Sequence, residues 1–158
     1  LQTVERSDTI SLAALTEEVF CDLDPVADKH QIRLIQTEGD CTVTGSYILL
    51  YRAVYNLVEN AIKYNRPSGS VTVSIHSAES AVLEVTDTGI GISPENQEKI
   101  FDPFYRVDKS RSRAMGGAGL GLALVSEIAR QHNGQVKVTQ SSKKGSTIAL
   151  ILPKSTDY

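Results

Sequence analysis

The sequence predicts an α+β protein with a mixed, mostly antiparallel sheet and helices on one face, that is, a two-layer α/β sandwich. Segments with helical apolar spacing and short segments that alternate between apolar and polar residues both occur along the chain. Because strands and helices do not alternate regularly, a doubly wound parallel sheet is not expected. The 158 residues, 41% of them hydrophobic, suit one domain with a proper core.

The first part of the chain predicts a linker, a helix and a strand. Residues 1–11 are polar and are expected to be the linker. Residues 12 to about 29 carry apolar side chains at helical spacing, and Pro25 is expected to end or kink this helix. Alternation over residues 31–37 predicts a strand.

A second helix and a strand pair are predicted next. The helix spans about residues 47–64, with Ser46 as its N-cap. After a turn at residues 66–69, residues 70–76 and 81–86 predict two strands that pair antiparallel.

The last part of the chain predicts a long loop followed by a helix and two strands. Residues 87–119 are irregular apart from a short helix at Ser93 and Pro94. A loop of this length is expected to be a functional lid, since it carries glycines and cations. The predicted closing elements are a helix at residues 119–132 and strands at residues 135–140 and 147–152.

Charge and cysteine content narrow the class of protein. A net charge of −3 argues against nucleic acid as the main partner. Cys21 and Cys41 lack metal-ligand spacing and are expected to be reduced thiols. No apolar stretch approaches the roughly 18 residues that cross a bilayer. Because the chain begins without Met, we expect it to be a piece of a longer protein.

The second helix carries a polar stripe that suits a flat, charged ligand. Asn56, Asn60, Lys63 and Tyr64 share one face at helical spacing. Amide oxygens can ligate Mg²⁺, a lysine can meet phosphate, and a tyrosine can lie against a base.

Three further motifs follow in the predicted lid and at its borders. In the run from Asp87 to Ile92, a carboxylate ends a strand, and Gly89 and Gly91 allow the backbone to turn close to a ligand. Phe101, Asp102, Pro103, Phe104 and Tyr105 can anchor the lid, and Arg106 is a multi-donor cation suited to phosphate. The run from Gly116 to Gly121 leads into a helix N-terminus, where backbone N–H groups favour an anion.

Together these motifs resemble the catalytic, ATP-binding domain of bacterial sensor histidine kinases, in the Bergerat-fold superfamily. The resemblance implies the Bergerat fold with a long ATP lid. It divides the chain into a linker from an upstream domain, a catalytic domain at residues 12–153 and a tail at residues 154–158. The matching motifs are the N box at residues 56–64, the first glycine box at 87–92, the F box at 101–106, the second glycine box at 117–121 and the closing strand at 145–153.

The resemblance implies ATP and Mg²⁺ as ligands and gives the helix its roles. Asn60 would ligate Mg²⁺, and Asn56 would sit beside the metal and the phosphates. Lys63 would reach phosphate oxygens, Tyr64 would pack on adenine, and Arg106 would contact the γ-phosphate. Asn56, Lys63 and Arg106 are thus the expected catalytic residues.

The remaining implied contacts come from the strands and the glycine boxes. Asp87 would accept a hydrogen bond from the adenine amino group, helped by the hydroxyl of Ser146 or Thr147. Many family members carry Thr or Ser where this chain has Ala118, and nucleotide binding is expected to survive the change. The other residues expected to line the nucleotide are Gly89, Gly91, Ile92, Gly117, Gly119, Leu120 and Gly121.

The resemblance also separates a kinase from a hydrolase. Hydrolases of the superfamily, such as DNA gyrase B, carry a Glu four residues before the Mg²⁺-binding Asn, where it activates water. This chain has Asn56 there, and an amide cannot accept that proton. Glu59 turns about 100° away from Asn60 on a helix and is expected to be solvated or to face the linker. Phosphoryl transfer is therefore favoured over hydrolysis.

The phosphate acceptor is expected outside this chain. His30, His76 and His132 lack the His-[Glu/Asp]-x-x-x-Pro setting and are expected to be structural or on the surface. The resemblance implies an upstream dimerisation and phosphoacceptor domain and a cognate response regulator as partners. It implies a membrane-anchored homodimer for the full-length protein, with this domain cytoplasmic and, as a fragment, monomeric.

Two alternatives stay open at this point. One is a serine kinase of the anti-sigma-factor type, which phosphorylates a separate protein. The other is a degenerate module that binds only a nucleotide or a partner.

Overall fold

A computed structural model describes residues 8–103 and 119–155, with side chains given from residue 8 to 103 and from 122 to 155. In order, the elements are β1 (Asp8–Ser11), α1 (Leu12–Lys29), β2 (Arg33–Gln36), β3 (Thr42–Gly45), α2 (Tyr47–Lys63), β4 (Ser70–Ser77), β5 (Ala81–Asp87), 3₁₀ turns at Pro94–Asn96 and Lys99–Phe101, α3 (Gly119–Gln131), β6 (Gln135–Ser142) and β7 (Gly145–Leu152). None of these described helices is both long and apolar enough to cross a membrane.

The main sheet has five strands in the order β2-β4-β5-β7-β6. The β2–β4 pair is parallel and the other three pairs are antiparallel. Alternate side chains of the strands, such as Val71, Val73 and Ile75 of β4, join the core beneath the helices. The predicted sandwich of a mixed, mostly antiparallel sheet and a helical layer is confirmed.

Helix α2 buries one side and leaves the other for polar residues. The buried positions are Leu50, Ala53, Val54, Leu57, Val58, Ala61 and Ile62. These are spaced for one broad apolar face. Asn56, Asn60 and Lys63 on the remaining surface are half-buried, so the local sequence fixes which side of α2 can meet a ligand.

The prediction of a linker over residues 1–11 is wrong for residues 8–11, which form a strand of the fold. Strand β1 pairs antiparallel with β3 in a separate two-stranded sheet. Ile10 is 3% exposed and supplies the apolar contact of this strand. A strand of four residues with one core side chain gives too short an alternation to be recognised in the sequence.

Helix α1 spans Leu12–Lys29, as predicted, and Pro25 does not end it. Proline removes the bond to the carbonyl of Cys21, which lies on the exposed side of the helix. The predicted tail is also partly docked, since Ser155 N–H donates to the Thr42 carbonyl at 2.9 Å.

The N-terminus of α2 is fixed by its own cap residue and by groups from two other parts of the chain. Ser46 caps the helix by accepting from Leu49 N–H at 3.3 Å, as predicted. Asp8 of β1 accepts from Tyr47 N–H at 3.2 Å. The buried His132, just after α3, accepts from Ser46 N–H at 3.1 Å through Nε2.

The two contacts of His132 fix its tautomer. Nδ1 lies 2.8 Å from the Ile128 carbonyl oxygen, which can only accept, while Nε2 faces an N–H group, which can only donate. In these contacts Nδ1 is therefore the donor and Nε2 the acceptor. His132 is structural, as predicted from the sequence.

We expect His132→Phe to lower the free energy of unfolding by about 1–3 kcal/mol, because Ser46 N–H, which is partly buried, loses its acceptor. Chemical denaturation measures the loss. His132→Gln, which can place an oxygen near the position of Nε2, is expected to lose less. Equal stability of His132→Phe and the wild type would show that this bond does not hold α2.

Candidate functional site

The polar stripe of α2 leads into a short connection that touches the first glycine box. Tyr64 is the C-cap residue of α2, and its N–H donates to the Asn60 carbonyl at 3.0 Å. At Gly89, a Cβ would lie 2.5 Å from the Tyr64 carbonyl oxygen and 3.0 Å from Asp87 Oδ1. Only glycine allows the two backbones this approach, and it brings the end of α2 next to Asp87.

Asn60 offers an oxygen with no protein partner. Among the described residues, Asn60 Oδ1 is the buried side-chain polar atom that lacks a hydrogen-bond partner. An unsatisfied buried acceptor is costly unless a ligand or water meets it. An amide oxygen is also a ligand that Mg²⁺ accepts, so this atom fits the metal role predicted for Asn60.

Asp87 lies in a cradle made by its own loop and by β7. Its Oδ1 accepts from Gly89 N–H at 2.8 Å and from Ser146 N–H at 3.3 Å. Its Oδ2 accepts from the Ser146 hydroxyl at 3.0 Å. The carboxylate is therefore held in one orientation before any ligand arrives.

Burial raises the pKa of Asp87, and the hydrogen bonds from Gly89 and Ser146 lower it by less than burial raises it. The ionised form is thus disfavoured in the ligand-free protein. A further N–H donor that reached the carboxylate would stabilise the charge. An exocyclic amine of a base is such a donor, so the site favours a ligand with an amine at this point.

The closing strand contributes one hydroxyl to the site and not two. Ser146 lies opposite Asp87 in the β5–β7 register, and Thr147 lies opposite Thr86. Consecutive strand residues face opposite sides of a sheet. The Thr147 hydroxyl accordingly pairs with Thr86 at 2.9 Å on the other face, which leaves Ser146 as the partner of Asp87.

The turn between β6 and β7 supports the first glycine box. Gly91 has φ +78°, and a Cβ there would lie 2.0 Å from the Ser142 carbonyl oxygen. Ile92 N–H donates to the Ser141 hydroxyl at 2.6 Å. Gly91 and Ile92 therefore hold the box against the hairpin in this structure.

Asn65, which was not predicted as a site residue, connects α2 to the strands. Its Oδ1 accepts from the Thr88 hydroxyl at 2.8 Å, and its Nδ2 donates to the Ser70 carbonyl at 2.9 Å. Ser70 N–H donates to the same Thr88 hydroxyl at 3.0 Å. A polar residue just after a helix was the available signal, but it does not name these partners.

Arg66, also missed, joins two loops. Its guanidinium donates to the Gly89 carbonyl at 3.2 Å and to the Lys143 carbonyl. It therefore links the glycine box to the β6–β7 turn. Its place within a predicted turn had suggested no role.

Several predicted site residues lie outside the described part of the chain. These are Arg106, Gly117 and Ala118. Gly119, Leu120 and Gly121 form the first turn of α3, where the sequence predicted a helix N-terminus. Phosphate contacts by all six residues stay predictions. Phe101 of the F box packs partly buried against the core.

The other histidines lie away from the site, as predicted. His30 Nδ1 bonds the Val26 carbonyl at 3.0 Å within α1. His76 pairs with Glu84 at 3.0 Å.

A known protein family matches the part of the chain that carries the candidate site. A family model described as histidine kinase-, DNA gyrase B-, and HSP90-like ATPase matches residues 45–156. This stretch contains α2, Asp87 and Ser146.

Curated relatives are sensor kinases of greater length. Sensor-like histidine kinase SenX3 of Mycobacterium tuberculosis (strain ATCC 25618 / H37Rv) is 49% identical over 159 residues, covering 97% of this chain and 38% of the relative. Sensor histidine kinase RppB of Synechocystis is 44% identical over 140 residues, covering 88% of this chain and 30% of the relative. The chain thus spans well under half the length of these relatives.

Solved structures share the fold. Mycobacterial sensor histidine kinase MprB matches with a TM-score of 0.79 at 28% identity, over 95% of this chain and 99% of that one. Full-length ShkA, solved in complex with AMPPNP, matches with a TM-score of 0.85 at 24% identity, over 99% of this chain and 32% of that one.

We expect Asp87→Asn to change how stability depends on pH. The side-chain oxygen of the variant can still accept hydrogen bonds from Gly89 N–H and Ser146 N–H, and its NH₂ group can donate to the Ser146 hydroxyl. Because the folded pKa of Asp87 is raised, the wild type loses stability as pH rises from about 4, the unfolded value, through the folded pKa. The variant lacks this loss.

Thermal unfolding of both proteins across this pH range measures the effect. At neutral pH the ligand-free variant is expected to be at least as stable as the wild type, and its advantage should shrink as pH falls through the folded pKa. A variant less stable than the wild type at every pH would mean that the carboxylate contributes to folding beyond these bonds.

Proposed function

The chain belongs to the histidine kinase-, DNA gyrase B-, and HSP90-like ATPase family, and we propose that it holds Mg-ATP and donates the γ-phosphoryl group to a histidine on another domain. It is a catalytic ATP-binding domain of the sensor histidine kinase type, since its relatives are sensor histidine kinases. The acceptor, the metal and the partner domains are the proposed part.

One observation carries the choice of transfer over hydrolysis. The stripe that faces the site offers Asn56 and Asn60, which are amides, where hydrolysis needs a carboxylate to activate water. The nearby carboxylate, Glu59, lies 3.8 Å from Lys63 Nζ. Because this carboxylate is paired with Lys63, it is a poor candidate for activating water. This supports a site that holds ATP for an external acceptor.

Different side chains of the site would bind the base, the metal and the phosphates. Asp87 orients the base through its amine, and Asn60 would hold Mg²⁺ with its unpaired oxygen. When bound, Mg²⁺ neutralises charge on the phosphates. Lys63 and Arg106 would add positive charge at the transferred group, so that catalysis rests on positioning and electrostatics.

The partners of the whole protein follow as proposals from its longer relatives. We propose an upstream dimerisation and phosphoacceptor domain that delivers the histidine, and a response regulator that receives the phosphoryl group. We also propose that the full-length protein is a membrane-anchored homodimer with this domain in the cytoplasm, where ATP is available.

The purified chain is expected to bind Mg-ATP in calorimetry. It is expected to hydrolyse ATP very slowly, because position 56 carries an amide and not a carboxylate that could activate water. Added phosphoacceptor domain should become phosphorylated on histidine, detected as an acid-labile phosphate. Fast steady-state turnover, or acid-stable serine phosphate on an anti-anti-sigma protein, would contradict the proposal. Absence of nucleotide binding would support a degenerate module.

We expect Asp87→Asn to weaken ATP binding by about 1.5–3 kcal/mol, because the amine of adenine loses a charged acceptor. Calorimetry with ATP measures the change. Glu84→Gln is the matched control, since it removes a carboxylate from the same strand on the opposite sheet face; it should bind ATP as the wild type does. Unchanged affinity of Asp87→Asn would show that Asp87 does not face the base.

A further inference from the structure

A single row of residues runs the length of α2 and ends at the proposed phosphate-binding lysine. Tyr47, Tyr51, Tyr55, Glu59 and Lys63 are each four residues apart and so lie on one ridge. The three rings lie in sequence, with centroids 6.2 and 6.0 Å apart. The row then changes from aromatic to charged at Glu59.

Helix α1 lies beside this row and runs in the same direction. The Tyr47 hydroxyl donates to Glu18, and the Tyr51 hydroxyl donates to Asp22 one turn further on. The contacts advance together along both helices, so the helices are parallel. The first two tyrosines thus have carboxylate partners on α1.

Glu59 has its partner within the row. Its carboxylate lies 3.8 Å from Lys63 Nζ, with the side chains of Lys63 and Glu59 22% and 28% exposed. Burial, followed by the charge of Glu59, raises the pKa of Tyr55, the neighbour on the other side. Glu59 therefore acts on both members of the row that flank it.

The pair does little for folding. Partly exposed ion pairs at positions i and i+4 of a helix contribute little stability. The carboxylate nevertheless offsets part of the positive charge of Lys63 at short range. A phosphate that binds Lys63 must meet a cation already paired with an anion.

We propose that Glu59 competes with the phosphates of ATP for Lys63 and so sets the affinity of the site for triphosphate. This rests on the function proposed above. Binding exchanges one anionic partner of Lys63 for another, and departure of the nucleotide restores the first. Glu59 is thus a tuning residue that acts through Lys63.

The test compares ATP, ADP and adenosine binding to the 158-residue chain by calorimetry, with and without Glu59→Gln. We expect the variant to bind ATP about three- to tenfold more tightly, ADP by a smaller factor, and adenosine as the wild type does. Glu17→Gln is the matched control, because it removes the same charge from an exposed position of α1, next in sequence to Glu18, the partner of Tyr47 at the start of α2. From there to Lys63 is about 24 Å along the helix, beyond the reach of screened charge.

A double variant tests whether Glu59 acts through Lys63. With Lys63→Met present, Glu59→Gln should no longer change the preference for ATP over adenosine. Equal changes for all three ligands, no change, or weaker ATP binding in Glu59→Gln would each overturn the proposal. These results leave the proposed function intact as long as the wild type binds ATP; a wild type that binds no nucleotide would overturn both.

Discussion

The close approach of two backbones, at the end of α2 and at Gly89, sets the position of the whole site. The carbonyl of Tyr64 reaches a point where any side chain at position 89 would collide with it. This contact places the end of α2, one turn beyond Asn60, next to the carboxylate of β5. The bonds of Asn65 with Thr88 and Ser70 then fix the same junction from the side. The helix and the sheet thus meet where the ligand has to bridge them.

Two features of the site are energetically unfavourable without a ligand, and a bound nucleotide can stabilise both. Asp87 carries a charge that burial disfavours, and Asn60 has an oxygen without a protein partner. Each would be corrected by a different end of one ligand, an amine at the base and a cation at the phosphates. Neither feature lies at the N-terminus of α2, where His132 and Asp8 hold the helix.

The sequence predicts those parts of the site that lie within one local segment. The apolar positions of α2 and the spacing of Asn56 and Asn60 belong to the same helix, so periodicity places them. The role of Arg66 depends on a turn nearly eighty residues later, and the contact of Ser141 with Ile92 depends on the hairpin docking. Strand register, which also decides between Ser146 and Thr147, is a property of paired strands and is not visible in either strand alone.

That register makes the β6–β7 turn different from other surface turns. Its residues contact Gly91, Ile92 and Arg66, while the strand that follows delivers Ser146 to Asp87. Adding or deleting one residue at the start of β7 would turn the Ser146 hydroxyl to the opposite face and bring a neighbour into its place. Length variation among natural sequences of this domain should therefore be tolerated in the β4–β5 turn, which lies at the other end of the strands, and be selected against in this hairpin.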